Sequence, residues 1–197
     1  MKEPILYRIT RPIIKVLFKL IYRPTIEGKE YIPEEGRIIL AGNHTHNLDC
    51  ILLISSTKRT IHFLAKDELT KGLKKIIFNN MGIIPVNRKI HDKNALNNAI
   101  ATLNKEKVIG IFPEGTFHKS KDIILPFKIG AVKMANDTKT QIIPFTITGS
   151  YKPFKKNIKL TYLKPITINN NLTKENEKLM NIIKEDLIKK GKKVWVF

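Results

Sequence analysis

Cysteine is almost missing from this chain: there is one, Cys50, in 197 residues. A single thiol excludes an intramolecular disulfide and any multi-cysteine metal site, and it fits a reducing cytoplasm. Long apolar runs are missing as well. No uncharged stretch reaches the ~18 residues that a spanning helix needs. The first residues interleave charges with apolar side chains and lead to no small-residue cleavage site, so they do not read as a secretory signal. Acidic residues are scarce: Asp and Glu total 17 against 36 Lys and Arg, a net charge of +19. That balance points to an anionic partner, which leaves nucleic acid, an anionic membrane surface and a phosphorylated substrate in play. The chain is also rich in Asn and Ile, as AT-rich coding would make it, and a run of lysines is often only a solvated face. A nucleic-acid reading lacks support, because aromatic residues are not interleaved with basic clusters and no recognition motif is present.

With 42% hydrophobic and 27% charged residues, the composition is that of a folded domain. The length allows a sizeable core but falls short of an eight-fold α/β barrel.

Residues 1–24 stand apart from residues 25–197, which read as one α/β domain. Arg8, Arg11, Lys15 and Lys19 lie at offsets of 3, 7 and 11, within about 80° of one another at ~100° per residue. Ile9, Ile13, Val16, Leu17, Leu20 and Ile21 fill the opposite side. Such a basic amphipathic helix suits a membrane interface, and also suits a terminal helix packed on the core. Pro12 lacks an N–H, so two short helices are expected, with Pro12 opening the second.

Farther along, short apolar runs alternate with helical patterns. Strands are expected at 37–41, 60–65, 83–86, 108–112, 141–148 and 158–163. Helices are expected at 48–56, 72–80, 94–104, 129–136 and 172–190, the last with Thr173 as N-cap and Gly191 just beyond its end. This alternation predicts a mostly parallel sheet with helices on both faces. Sites in such sheets form at the carboxyl ends of strands, which directs attention to residues 42–49, 87–89, 113–118 and 148–151.

The first of these loops reads Gly42-Asn43-His44-Thr45-His46-Asn47-Leu48-Asp49. An acid five residues after a histidine, at the start of a helix, can fold back onto one imidazole nitrogen and leave the other as a base. That is the base-and-orienter half of a catalytic triad without a protein nucleophile. It suits proton removal from a substrate hydroxyl. A metal-dependent hydrolase using His44, His46 and Asp49 is the rival, but the Asp-His continuation of the His-x-His pattern is absent and no later cluster supplies ligands. In Ile111-Phe112-Pro113-Glu114-Gly115-Thr116 a buried strand ends in a tight turn that presents a carboxylate and free backbone N–H groups. Arg88, after the strand at 83–86, and Lys66, after the strand at 60–65, set cationic groups on the same sheet edge, and the guanidinium fork suits a phosphate. Cys50 begins an apolar helix face and reads as a buried structural residue.

Taken in order, Asn-His-x4-Asp, Lys-x-Glu-Leu, Gly-x5-Arg, Phe-Pro-Glu-Gly-Thr and an Ile-Pro-Phe strand resemble the glycerolipid acyltransferases, specifically the 1-acylglycerol-3-phosphate acyltransferases. The likeness covers roughly residues 28–148. It implies the glycerolipid acyltransferase fold, a sheet flanked by helices behind an N-terminal amphipathic anchor. It implies that His44 is the general base and Asp49 its orienting partner. Arg88 and Lys66 would grip the glycerol phosphate, and Glu114, Gly115 and Thr116 would line the acceptor site. Ile143-Pro144-Phe145 would help shape the acyl pocket, and His46 falls in the variable part of its motif. The segment after Lys66 lacks a proline often seen there. The implied reaction moves a fatty acyl group from acyl-carrier-protein or acyl-CoA to 1-acylglycerol 3-phosphate, or to another lysolipid, with no metal and no cofactor. The implied location is the cytoplasmic face of a membrane, held through Arg8, Arg11, Ile13, Lys15, Leu17, Lys19 and Leu20, with an aromatic contact at Val194-Trp195-Val196-Phe197 as an addition.

Overall fold

A computed structural model describes residues 5–70, 82–87, 92–117 and 122–191. The helix expected at 72–80, Arg88 and the C-terminal aromatic tail lie outside the described residues.

Among the described residues seven strands form one sheet in the order β1-β7-β6-β2-β5-β3-β4. They are β1 (Thr25–Glu27), β2 (Ile38–Gly42), β3 (Ile61–Lys66), β4 (Ile84–Val86), β5 (Val108–Ile111), β6 (Ile142–Gly149) and β7 (Ile158–Tyr162). All neighbouring pairs run parallel except β6 and β7. The helices are α1 (Ile5–Tyr22), α2 (Asp49–Ser56), α3 (Lys93–Leu103), α4 (Gly130–Thr138) and α5 (Leu172–Lys189).

Side-chain alternation divides the core in two. Ile38 and Leu40 of β2 pack with Tyr7 and Phe18 of α1 and Leu52 and Leu53 of α2. Ile39 and Ala41 point the other way, into a cluster with Ala99 of α3, Ala131 of α4 and Leu179, Ile183 and Leu187 of α5. A sheet covered on both faces explains why β2 is apolar at every position instead of every second one.

Two local expectations are corrected. The N-terminal segment is one helix that runs through Pro12. Pro12 is exposed, so the hydrogen bond it removes lies on the solvent side, where its loss costs least. The N-cap of α5 is Asn171, whose side chain accepts from Lys174 N, and not Thr173. The three-residue β1 is an addition that pairs with β7, far away in sequence.

The register aligns the strand ends that carry the site. Ala41 sits beside both Ile111 of β5 and Pro144 of β6. Gly42, the last residue of β2, tolerates no side chain: a Cβ there would lie 2.3 Å from the Phe145 carbonyl oxygen. Just beyond it, the buried Asn43 extends the β2–β6 ladder with its own amide. Its Nδ2 donates to Ile147 O at 2.9 Å and its Oδ1 accepts from Ile147 N at 2.8 Å.

Candidate active site

Asn43 anchors the chain as it leaves β2, and His44 follows at once. His44 Nδ1–H donates to Asp49 Oδ2 at 2.9 Å, and Asp49 is fully buried. The carboxylate belongs to the first turn of α2, where the helix dipole favours a negative charge. It folds back over its own loop and accepts from Thr45 N at 2.6 Å, His46 N at 2.8 Å and Thr45 Oγ1 at 3.2 Å. The Tyr151 hydroxyl, from the loop after β6, completes the set at 2.5 Å from Oδ1. These donors hold the carboxylate in one orientation. The bond from Nδ1 fixes the imidazole tautomer and leaves Nε2 as the proton-accepting nitrogen.

The imidazole ring is clamped as well. Phe112 stacks on it at 3.9 Å with 12° between planes, and Phe117 leans on it at 4.4 Å. Glu114 is buried and sets the loop's position from below. Its Oε1 accepts from His44 N at 2.8 Å and its Oε2 from Leu125 N at 2.9 Å.

Beside His44 a pocket of about 720 Å³ opens at the strand ends. Its walls are mainly apolar, with Leu64, Leu96, Ile111 and Met134 among them, and its rim carries Lys93, Lys128 and Lys133. A largely apolar cavity with a few polar groups converging on a base suits a lipid-like substrate. Gly115 also lines it, in the left-handed region at φ 70°, with the Lys128 stem resting close enough that a Cβ would meet Lys128 Cε at 2.9 Å.

The family model described as "Acyltransferase" matches residues 23–148, which takes in His44, Asp49, Phe112, Glu114 and Phe117 and ends before Tyr151. The chain belongs to the acyltransferase family. A protein of Borreliella burgdorferi named 1-acyl-sn-glycerol-3-phosphate acyltransferase is 33% identical over 84% of this chain and 70% of its own. A Bacillus subtilis protein of the same name is 29% identical over 73% of this chain and 72% of its own. The fold matches the crystal structure of the 1-acyl-sn-glycerophosphate (LPA) acyltransferase from Thermotoga maritima with a TM-score of 0.75 at 22% identity, over 98% of this chain and 80% of that one.

Within this acyltransferase the expected residues separate into groups. His44 and Gly115 meet at the pocket, and Asp49 stands behind His44. Glu114 lies behind the loop and Thr116 is exposed; neither lines the pocket. Lys66, on the end of β3, donates to Glu68 Oε2 at 2.8 Å on the surface. Ile143 and Phe145 are in the core on the α1 and α2 side. His46 is exposed, with Nδ1 accepting from Leu48 N at 3.1 Å and its ring 5.0 Å from Tyr151.

The sequence does not single out Tyr151, Phe112 or Phe117 as site residues. The strand-end rule marks the loops that hold them, but only the fold shows which side chains turn inward. Cys50 is unsuited to nucleophilic attack. Burial, with the adjacent Asp49 carboxylate, pushes its thiol up to about 12, so it carries almost no thiolate near neutral pH.

Proposed function

We propose that this acyltransferase moves a fatty acyl group from a thioester of acyl-carrier-protein or coenzyme A to the sn-2 hydroxyl of 1-acylglycerol 3-phosphate, giving phosphatidic acid. The observation that carries the reading is the His44–Asp49 pair at 2.9 Å beside an apolar pocket. The names borne by its relatives supply the acceptor.

In this mechanism His44 Nε2 takes the proton of the acceptor hydroxyl as the oxygen attacks the thioester carbonyl. Asp49 stabilises the imidazolium that forms. The tetrahedral intermediate collapses, the carbon–sulfur bond breaks, and His44 returns the proton to the departing thiolate. A positioned base of this kind supplies ~10²–10⁴-fold. The acyl chain occupies the apolar wall of the pocket. Arg88 holds the acceptor phosphate, and Lys66 joins it by giving up its surface ion pair with Glu68, with Gly115 and Thr116 nearby and Glu114 setting the loop. The reaction needs no metal or organic cofactor beyond the donor itself.

The acceptor is a bilayer lipid, and α1 supplies a surface for it. Tyr7 and Phe18 bury one face of the helix in the core, while Ile9, Ile13, Val16, Leu17 and Leu20 are all more than half exposed. Lys15 and Lys19 flank that outward stripe. No helix among the described residues is long and apolar enough to cross a membrane. The apolar stripe and basic flank of α1 support our reading that it lies in the membrane interface, with the cytoplasmic leaflet as the proposed side.

The test is acyl transfer by purified protein in detergent, with both donor types and a panel of lysolipid acceptors. His44→Ala lowers turnover by ~10²–10⁴-fold while the circular dichroism spectrum is kept; turnover near that of the parent sinks the mechanism. Arg88→Ala raises KM for the phosphorylated acceptor more than for an unphosphorylated one. Preference for a different lysolipid replaces the acceptor and leaves the chemistry standing.

A further inference from the structure

At the opposite end of the strands from His44 lies a second cavity, of about 850 Å³. Strand β5 separates the two: Val108, its first residue, lines this cavity, while Ile111, its last, lines the pocket beside His44. Six cationic side chains surround it: Arg11 and Lys15 from α1, Lys29 from the turn after β1, Lys58 and Arg59 before β3, and Lys107 before β5.

Two of the six are already engaged. The Arg59 guanidinium binds the carbonyls of Pro33, Glu35, Gly36 and Glu106. Arg11 donates to the Lys58 carbonyl and lies over the Tyr7 ring. Lys15, Lys29, Lys58 and Lys107 have no carboxylate within ion-pair distance among the described residues. Three acids also line the cavity. Glu106 is committed to Arg37, through Arg37 N at 3.0 Å and Nε at 3.6 Å. Glu34 and Glu35 are exposed on the loop at its mouth.

The lysines repel one another. Burial, then the charges of Lys19, Lys29, Lys58 and Arg11, push the Lys15 ammonium below its ordinary value, and burial with Lys19 does the same to Lys29. A bound anion would relieve that repulsion. Lysine clusters of this kind act as point-charge binders of phosphate.

We propose that this cavity binds a phosphate-bearing anion distinct from the reacting substrate, the headgroup of an anionic phospholipid being the source that the geometry favours. Arg11 and Lys15 belong to the helix whose outward stripe is Ile13, Val16, Leu17 and Leu20. A headgroup in the cavity would therefore come from the leaflet on which α1 rests, with its acyl chains beside that stripe. The length of β5 keeps such a lipid from the base. Its role is to hold the enzyme on anionic membrane, a requirement separate from acyl transfer, so a failure of the proposed reaction leaves this test intact.

The experiment compares the parent chain with Lys29→Ser/Lys58→Ser/Lys107→Ser, which leaves α1 untouched, and with Lys105→Ser/Lys164→Ser/Lys174→Ser, a control of equal net charge at exposed sites. Folding is checked by thermal denaturation. Binding is measured to phosphatidylcholine vesicles with and without phosphatidic acid, and by calorimetry to inorganic phosphate and to a soluble short-chain phosphatidic acid. The cavity variant loses about tenfold or more of its affinity for phosphatidic-acid vesicles, and the control loses far less. If only the affinity for inorganic phosphate falls, the cavity is a phosphate site served from solution and the lipid source is overturned. Equal losses in both variants, or no loss in either, overturn the site.

Discussion

The Tyr151 hydroxyl donates to Asp49 Oδ1 at 2.5 Å, on the far side of the carboxylate from His44. Its ring meets Phe18 at 6.2 Å and Tyr22 at 5.7 Å, both on α1. Burial, reinforced by the Asp49 charge, pushes the phenol well above its ordinary value, so it remains a donor throughout the working range. The helix proposed to rest on the membrane is thus tied to Asp49 through one side chain. Tyr151→Phe keeps the ring contacts and, among the described residues, leaves Oδ1 with the Thr45 hydroxyl at 3.2 Å. The expected result is a stability loss of about 1–3 kcal/mol and a kcat reduced by about tenfold, less than for loss of the base itself. Steady-state kinetics and thermal melts check both. A kcat equal to the parent's would show that the loop amides alone hold Asp49.

Glu114 offers a sharper separation of roles. Its two oxygens accept from His44 N and Leu125 N, bracing the His44 loop against the segment that follows the Phe-Pro-Glu-Gly-Thr turn. Glu114→Gln sets an NH₂ against one of these amide donors, and a buried donor without an acceptor costs about 1–3 kcal/mol. Displacement of His44 then lowers kcat with little change in acceptor KM. A variant that raises KM and leaves kcat alone would place the carboxylate on the acceptor.

Much of this architecture is legible in the residue pattern. The apolar runs at 37–41, 108–112 and 141–148 are strands, and the helix at 48–56 brings Asp49 back to His44, because both depend on local periodicity and short spacing. Non-local features were hidden. Strand β1 has only three residues and is held by β7, more than a hundred positions away. Pro12 signals a break, yet the helix continues, because Tyr7 and Phe18 are both buried on the core side. Asn171 and Thr173 are both good capping residues, and the choice between them rests on loop geometry. Tyr151 lies 102 positions from Asp49, a separation at which spacing carries no information.

The exposed stripe of α1 predicts membrane binding that can be removed without unfolding. Ile13 and Leu17 are 56% and 53% exposed, so Ile13→Ser/Leu17→Ser removes little from the core. The nearby Phe154 is 71% exposed, and its N–H donates to Ile21 O at the end of α1. Vesicle flotation should show the double variant bound at least about tenfold more weakly, since each side chain loses apolar area worth up to ~1.5–3 kcal/mol when buried in lipid. The melting temperature should stay within a few degrees. Unchanged flotation would remove α1 from the membrane contact.

His62 gives the fold an acid-sensitive point away from His44. It is buried in β3, with Nδ1 bonded to Gly82 O at 2.8 Å and Nε2 without a hydrogen bond among the described residues. Burial pulls its pKa below the ordinary histidine value; the Gly82 carbonyl opposes this and Lys107 adds to it. The unfolded chain therefore binds the proton more readily than the folded one. Stability is fully present above the unfolded pKa of about 6.5 and is lost as pH falls through the lower folded value. His62→Gln retains a donor for Gly82 O and removes the titration. Urea denaturation from about pH 7 to about pH 5 should show parent stability falling more steeply than that of His62→Gln. Parallel slopes for the two proteins would mean that His62 accepts its proton equally in both states.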